Sequence, residues 1–171
     1  AIVAAMSEAQ RLEGTVRTAE WIKVDITEML GHSVDAYRSV HPERMITLDV
    51  PDESVELLCA PELLIQALDK LVDNAVSLSA DDYEITIALR YEQDVCLLSV
   101  ANTGTRLPDT LHDQLFDSLV SLRDKKAGRS HLGLGLHIVK LVAEAHGGGV
   151  SARNLPRNEG VEFTIRLPIQ P

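Results

Sequence analysis

Between Pro61 and Ala75 the residues Leu63, Leu64, Ala67, Leu68, Leu71, Val72 and Ala75 recur at steps of one, three and four. That spacing is the period of an α-helix, and the stripe it draws is broad enough to need covering on a wide front. Pro61 suits the first turn of such a helix, where a missing N–H costs nothing. The flanking segments alternate like the strands of a sheet that could cover it. Met45 to Val50 and Val55 to Cys59 precede the helix. Tyr83 to Tyr91 and Val95 to Ala101 follow it, joined by the polar turn Glu92-Gln93-Asp94, and Val150 to Asn154 and Val161 to Leu167 close the chain. Asp25 to His41 reads as a second helix, capped by Asp25 and stopped by Pro42. Leu134 to His146 reads as a third, ended by Gly147-Gly148-Gly149. Helices segregated from an antiparallel-looking sheet predict an α+β two-layer sandwich.

The first residues carry a narrower seam: Ile2, Ala5, Ala9, Leu12, Val16 and Ala19 step by three and four. Such a seam needs either a partner helix or the surface of its own domain, and Gly14 weakens it locally. The chain opens in mid-helix without an initiator Met, so it is expected to be a piece of something longer. At 171 residues with 45% hydrophobic content, one substantial soluble core with an extension is the expectation. The net charge of -10, with no basic run interleaved with aromatics, argues against a nucleic-acid surface, so any phosphate binding must be local. Cys59 and Cys96 stand far apart in apolar runs with no Cys or His at metal-ligand spacing, which fits a reduced, cytosolic setting. No apolar run has the length of a membrane span.

Two segments carry chemistry. In His131-Leu132-Gly133-Leu134-Gly135-Leu136-His137-Ile138-Val139, glycines lead into a helix, where bare amides and the helix dipole can receive phosphate oxygens. Close packing of a Gly-rich helix entry is the other reading. On the long helix, Asp73-Asn74 interrupts an apolar face, and an Asn oxygen pointing into a pocket is a hard ligand suited to Mg²⁺. A satisfied core amide is the alternative there. Between them, Asn102 to Leu132 is irregular and carries the basic cluster Arg123, Lys125, Lys126 and Arg129, with one short helix-like run around Leu111 to Phe116. A connection of that length inside a compact domain usually serves as a lid.

The order of these segments resembles the histidine-kinase-type ATPase family, which also includes the DNA-gyrase, mismatch-repair and Hsp90-type ATPases. Leu68 to Leu78 is similar to the family's asparagine motif, with Asn74 at the metal position. Ser99 to Pro108 is similar to the first glycine motif, and Leu115 to Leu119 to the phenylalanine motif of the lid. Leu132 to Val139 is similar to the second glycine motif, His146-Gly147-Gly148 to the turn after its helix, and Gly160 to Phe163 with Leu167-Pro168 to the last strand. Leu115 to Arg123 followed by His131 to Leu136 resembles a proteobacterial subgroup associated with sortase systems.

The resemblance implies a sandwich with a mixed sheet covered on one face by helices. It also implies residues 1–24 as the end of a dimerisation and phosphoacceptor helix, and residues 25–171 as a catalytic ATP-binding domain. Asn74 would hold Mg²⁺, Asn102 would face the base, and Gly104 would let the backbone pass beneath it. Phe116, Lys125, Lys126 or Arg129, His131, Leu132, Gly133, Leu134, Gly135, Leu136 and Val161 would complete the nucleotide site. The reaction implied is transfer of the γ-phosphoryl group of ATP to a histidine, in the cytoplasmic part of an inner-membrane-anchored homodimer that signals to a response regulator. None of the six histidines is placed as the acceptor, which is expected upstream.

Hydrolysing members of the family carry a water-activating glutamate where this chain has Lys70, which favours a kinase. Kinases usually carry a second asparagine there, so either the metal shell is altered or the Lys70 ammonium contacts a phosphate. Ser77 stands at a usual lysine position, Arg106 and His131 replace glycines, and Asn102 replaces an aspartate. Its amide can present either oxygen or nitrogen, so looser discrimination between ATP and GTP is expected. Two rivals remain: a degenerate nucleotide-binding or partner-docking module, supported by Lys70 and Asn102, and an anti-sigma-factor-type serine kinase, against which the Ile2 to Ala19 seam argues.

Overall fold

The computed structural model describes residues 2–79, 83–104 and 132–169, with side chains from residue 10 onward except at 132–134 and 158. Helix α1 (Ile2–Thr18) leads through strand β1 (Ile22–Asp25) into helix α2 (Ile26–Val40), strand β2 (Met45–Asp49) and strand β3 (Glu56–Cys59). Helix α3 (Pro61–Leu78) and the hairpin β4 (Glu84–Glu92) and β5 (Val95–Thr103) follow. Helix α4 (Leu132–Ala145), strand β6 (Gly149–Asn154), a short 3₁₀ turn at Pro156–Asn158 and strand β7 (Gly160–Pro168) complete the described chain.

The caps work as their residue types predict. The Asp25 carboxylate accepts the Glu28 N–H at 3.1 Å at the start of α2. At the end of α4 the Gly148 N–H donates to Ala143 and the Gly147 N–H to Glu144, both at 2.9 Å, while Gly147 turns left-handed at φ +75°. That pairing is a Schellman closure. A Cβ on Gly148 would lie 1.7 Å from the Arg166 carbonyl oxygen of β7, so this position has no room for any side chain.

The main sheet has the order β2-β4-β5-β7-β6. It is mixed: β2 runs parallel to β4, because the chain between them travels through β3 and the crossover helix α3, and the other pairs are antiparallel. The antiparallel reading of the alternation therefore misses one pair, since alternation carries no direction. β1 and β3 form a separate two-stranded sheet, pairing Ile22 with Cys59 and Asp25 with Glu56. Four residues of Ile-Lys-Val-Asp are too short to stand out as a strand before their partner is known.

Residues Ile85, Ile87 and Leu89 of β4, Leu98 and Val100 of β5, and Phe163 and Ile165 of β7 are fully buried on one face of the sheet, together with the apolar face of α3. Their strand neighbours Thr86, Glu162 and Thr164 are only partly covered, so the helices lie on one side. The described end of the α1 seam also joins this core: Leu12 is buried, and Val16 and Ala19 pack against it. Tyr37 ties α2 to α3 by donating its hydroxyl to Asp69 at 2.5 Å, and burial followed by that bond pushes its ionisation far above the ordinary tyrosine range.

His146 fastens the α4 end to the other helices. Its Nε2 accepts the Ala60 N–H at 3.1 Å and its Nδ1 donates to the Val142 carbonyl at 2.8 Å, which fixes one neutral tautomer, and Trp21 lies against the ring. Burial lowers its pKa below the ordinary value, with the Val142 bond opposing. The unfolded chain therefore binds the extra proton more readily. His146 contributes its full stability above about pH 6.5 and loses it as pH falls through that value toward the folded pKa. Melting curves between pH 7.5 and 5 should show this loss, and His146→Gln should be less stable at pH 7.5 yet less sensitive to acid.

Candidate functional site

Helix α3 carries Lys70 and Asn74 one turn apart on the flank that meets α4. A Cβ built on Gly135 would lie 3.6 Å from both Cβ and Cδ of Lys70 and 3.8 Å from Asn74 Oδ1. The lysine stem and the amide oxygen thus converge on the first turn of α4. The leading N–H groups of a helix have no intrahelical acceptor and carry its positive dipole end, so this turn is suited to anions. Asn74 is only 5% exposed, and its Nδ2 has no hydrogen-bond partner among the described residues. A buried donor left unpaired costs about 1–3 kcal/mol, so among the described residues Asn74 is not a satisfied core amide.

The glycines here differ from their expected setting. Leu132 to Gly135 are already helical, so Gly133 and Gly135 lie within the first turn of α4 and not in a bare turn before a helix beginning at Leu134. Glycine lowers helix propensity by about 1 kcal/mol but keeps its N–H, and buried Leu136, Val139 and Val142 hold the turn in place.

A second cluster lies where β5 meets β7. Asn102 is opposite Val161 in the ladder and is 1% exposed. Its Nδ2 donates to the Thr103 carbonyl at 3.3 Å, and its Oδ1 has no partner among the described residues. Val161 is fully buried and offers no polar atom. Gly104 has φ +103°, donates its N–H to the Glu159 carbonyl at 2.8 Å, and would drive a Cβ to 2.4 Å from the Tyr83 ring. Gly160 is equally constrained: its Cβ would come within 2.0 Å of the Asn102 carbonyl. Gly160, Thr103 and Tyr83 are contributions that the site residues read from sequence did not include. For the first, the signals were a glycine directly before an alternating strand and its place in the motif of the last strand. α3 packs on both α4 and β5, so it forms a wall common to the two clusters.

Next to Asn74, Asp73 has its carboxyl held above the ordinary range, chiefly by burial and further by Asp69, with Lys70 pulling it down. Phe116, Lys125, Lys126, Arg129 and His131 lie outside the described residues, as do the helix-like run near Leu111 and the Leu115 to Arg123 run. Leu132, Gly133 and Leu134 are described as helix only. A cavity of about 470 Å³ lies at the other end of α4, lined by Trp21, Leu57, Leu58, Glu144 and His146, and takes no part in either cluster.

A model of the family described as histidine kinase-, DNA gyrase B- and HSP90-like ATPases matches residues 59–171, which include both clusters. The chain belongs to that family. It is 33% identical to the sensor protein CreC of Escherichia coli (strain K12) over 84% of its own length, and spans 30% of CreC. It is similar in fold to the catalytic domain of histidine kinase ThkA, with TM-score 0.76, 21% identity, and coverage of 88% of this chain and 96% of that one. ThkA in complex with response regulator protein TrrA gives TM-score 0.74 at 20% identity, covering 96% of this chain and 49% of that one. Full-length ShkA in complex with AMPPNP gives 0.74 at 23%, covering 88% and 31%.

Gly135→Ala separates a site from a packing contact. Distances of 3.6 to 3.8 Å are ordinary van der Waals contact, and alanine is the better helix former, so the melting temperature without ligand should stay level or rise. The added methyl occupies the space above Asn74 Oδ1, so nucleotide affinity, measured by titration calorimetry, should fall by roughly tenfold or more.

Proposed function

We propose that this chain is the ATP-binding catalytic part of a two-component sensor histidine kinase, transferring the γ-phosphoryl group of Mg²⁺-ATP to a histidine outside residues 1–171. The observation that carries the reading is the buried Asn74, its Nδ2 unpartnered among the described residues, beside the first turn of α4 within a chain of the ATPase family. The relatives' names support the kinase branch: CreC is a sensor protein, ThkA is a histidine kinase seen with a response regulator, and ShkA is seen with an ATP analogue. Lys70, one turn from Asn74, supports it too, because an ammonium cannot take a proton from water as a hydrolysing member's carboxylate would.

In this reading the polyphosphate lies on the first turn of α4 with Asn74 Nδ2 donating to one of its oxygens. Asn74 Oδ1 would hold Mg²⁺, which would supply charge neutralisation for the polyphosphate. An imidazole nitrogen forms its bond to the γ-phosphorus as the bond to the β,γ-bridging oxygen breaks, ADP leaves, and the imidazole gives up its proton. The protein's contribution is alignment of these atoms. His146, with both ring nitrogens engaged, is not available as the acceptor. The partners that follow are a dimerisation helix carrying the histidine, a second copy of the full-length protein and a response regulator, in the cytoplasmic part of a membrane-anchored kinase.

Incubated with labelled ATP, the chain alone should remain unlabelled and should label a supplied dimerisation domain in an acid-labile form. Acid-stable label would point to a serine kinase, and nucleotide binding without transfer to a binding module. Asn74→Ala should weaken Mg²⁺-ATP binding by roughly 10–100-fold, the scale of a lost hydrogen bond to a charged group. An Asn74→Ala affinity for Mg²⁺-ATP equal to that of the wild type would remove Asn74 from the metal site.

The base should lie against Asn102. With Nδ2 tied to Thr103, the amide presents its oxygen, which suits the adenine amino group and not a guanine carbonyl. Turning the amide over breaks the Thr103 bond, so the expected freedom to suit either base is restrained. Competition titration should show ATP preferred over GTP, by less than in Asn102→Asp because a neutral oxygen is the weaker acceptor. An unchanged ATP/GTP ratio in Asn102→Asp would mean that Asn102 does not read the base.

A further inference from the structure

We propose that Lys70 is a built-in counter-charge for the polyphosphate, set beside Asn74 and the first turn of α4, so that this site accepts its nucleotide with or without a divalent cation. The inference rests on the nucleotide reading above and concerns what neutralises the phosphates there.

The geometry comes from three residues. The Lys70 stem lies alongside Gly135, with its Cβ and its Cδ each 3.6 Å from the position a Gly135 Cβ would take. Asn74 Oδ1 lies 3.8 Å from that same point. Two further bonds give the ammonium a reach of about 2.5 Å beyond Cδ, enough for the lysine to extend to an anion seated on this helix turn. Gly135 supplies no side chain that could separate the lysine from such an anion.

The ammonium has three donors and no lone pair, so it cannot be a ligand to the metal that Asn74 Oδ1 would hold. It is instead a second cation competing for the same phosphate oxygens, and as a like charge it disfavours a divalent ion close by. A fixed cation needs no recruitment from solution, so its share of the neutralisation persists when the metal is removed. Asp73, partly buried on the same helix, is a carboxylate that competes for it, and its interaction with Lys70 is attractive. A bound polyphosphate, with several negative charges on one group, outweighs that carboxylate.

The test is titration of ATP in Mg²⁺ and in EDTA for the wild type, Lys70→Asn and Lys70→Arg, with a melting curve confirming that each is folded. The wild-type affinities in the two conditions should agree to about threefold, because Lys70 covers for the absent metal. Lys70→Asn should lose roughly tenfold or more in EDTA while holding or improving its affinity in Mg²⁺, since asparagine adds an oxygen ligand and removes the like charge. Lys70→Arg should keep the wild-type ratio. A residue that only braces α3 against α4 would change both conditions equally and leave the ratio untouched. Nucleotide binding with the same Mg²⁺-to-EDTA ratio in wild type and Lys70→Asn overturns this inference and leaves the nucleotide site standing. Absence of binding by the wild type in either condition overturns both.

Discussion

Everything at the site depends on how closely α3 and α4 approach each other. α3 buries Leu63, Leu64, Ala67, Leu68, Leu71, Val72 and Ala75 completely or nearly so, which leaves only a narrow flank for polar residues. Asn74, at the edge that meets α4, is buried with the apolar set. Burial of an amide inside such a face is tolerable only where something completes its hydrogen bonds, and Gly135 leaves the opening through which a ligand can do so. The apolar packing fixes the direction of the amide, and the missing Cβ keeps the space in front of it clear. Hydrophobic burial and ligand geometry are here one arrangement of the same two helices.

The sheet end works on the same principle through backbone contact. Gly160 lets β7 close on the carbonyl of Asn102, and Gly104 lets the chain leave β5 beneath the Tyr83 ring. The Asn102 side chain is thereby held between a neighbouring carbonyl and a wall of Val161, with one atom of its amide engaged. Among the described residues the two orphan amide atoms are a donor on α3 and an acceptor on β5.

The sequence shows the long elements clearly because their periods are unambiguous: α3 by its apolar stripe, the β4–β5 hairpin by its alternation and polar turn, α2 by Asp25 and Pro42. Asn74 stands out as a polar break in the apolar face of α3, with its role sharpened by the family resemblance, whereas Asn102 is singled out by the resemblance. What stayed hidden required knowledge of partners. The parallel pairing of β2 with β4 depends on the path of a crossover, and β1 exists only because β3 lies beside it. The early start of α4 runs against the propensity of its glycines and follows from burial further along the helix. The contact of Gly160 with Asn102 joins residues far apart in the chain, and nothing local to either one announces it.

The two unpartnered amide atoms also bear on how the protein lives when empty. Each carries a desolvation cost of about 1–3 kcal/mol until a partner completes it, a sizeable share of the 5–15 kcal/mol that holds an ordinary domain together. The domain's resistance to unfolding is therefore tied to its surroundings. At a ligand concentration one hundred times the dissociation constant, occupancy adds about 2.7 kcal/mol. A sequence kept folded by a cofactor that its host always supplies can drift in its core further than an unliganded domain could. Measured in dilute buffer, such drift would look like fragility; in a cell rich in nucleotide, the same chain would spend almost all its time intact.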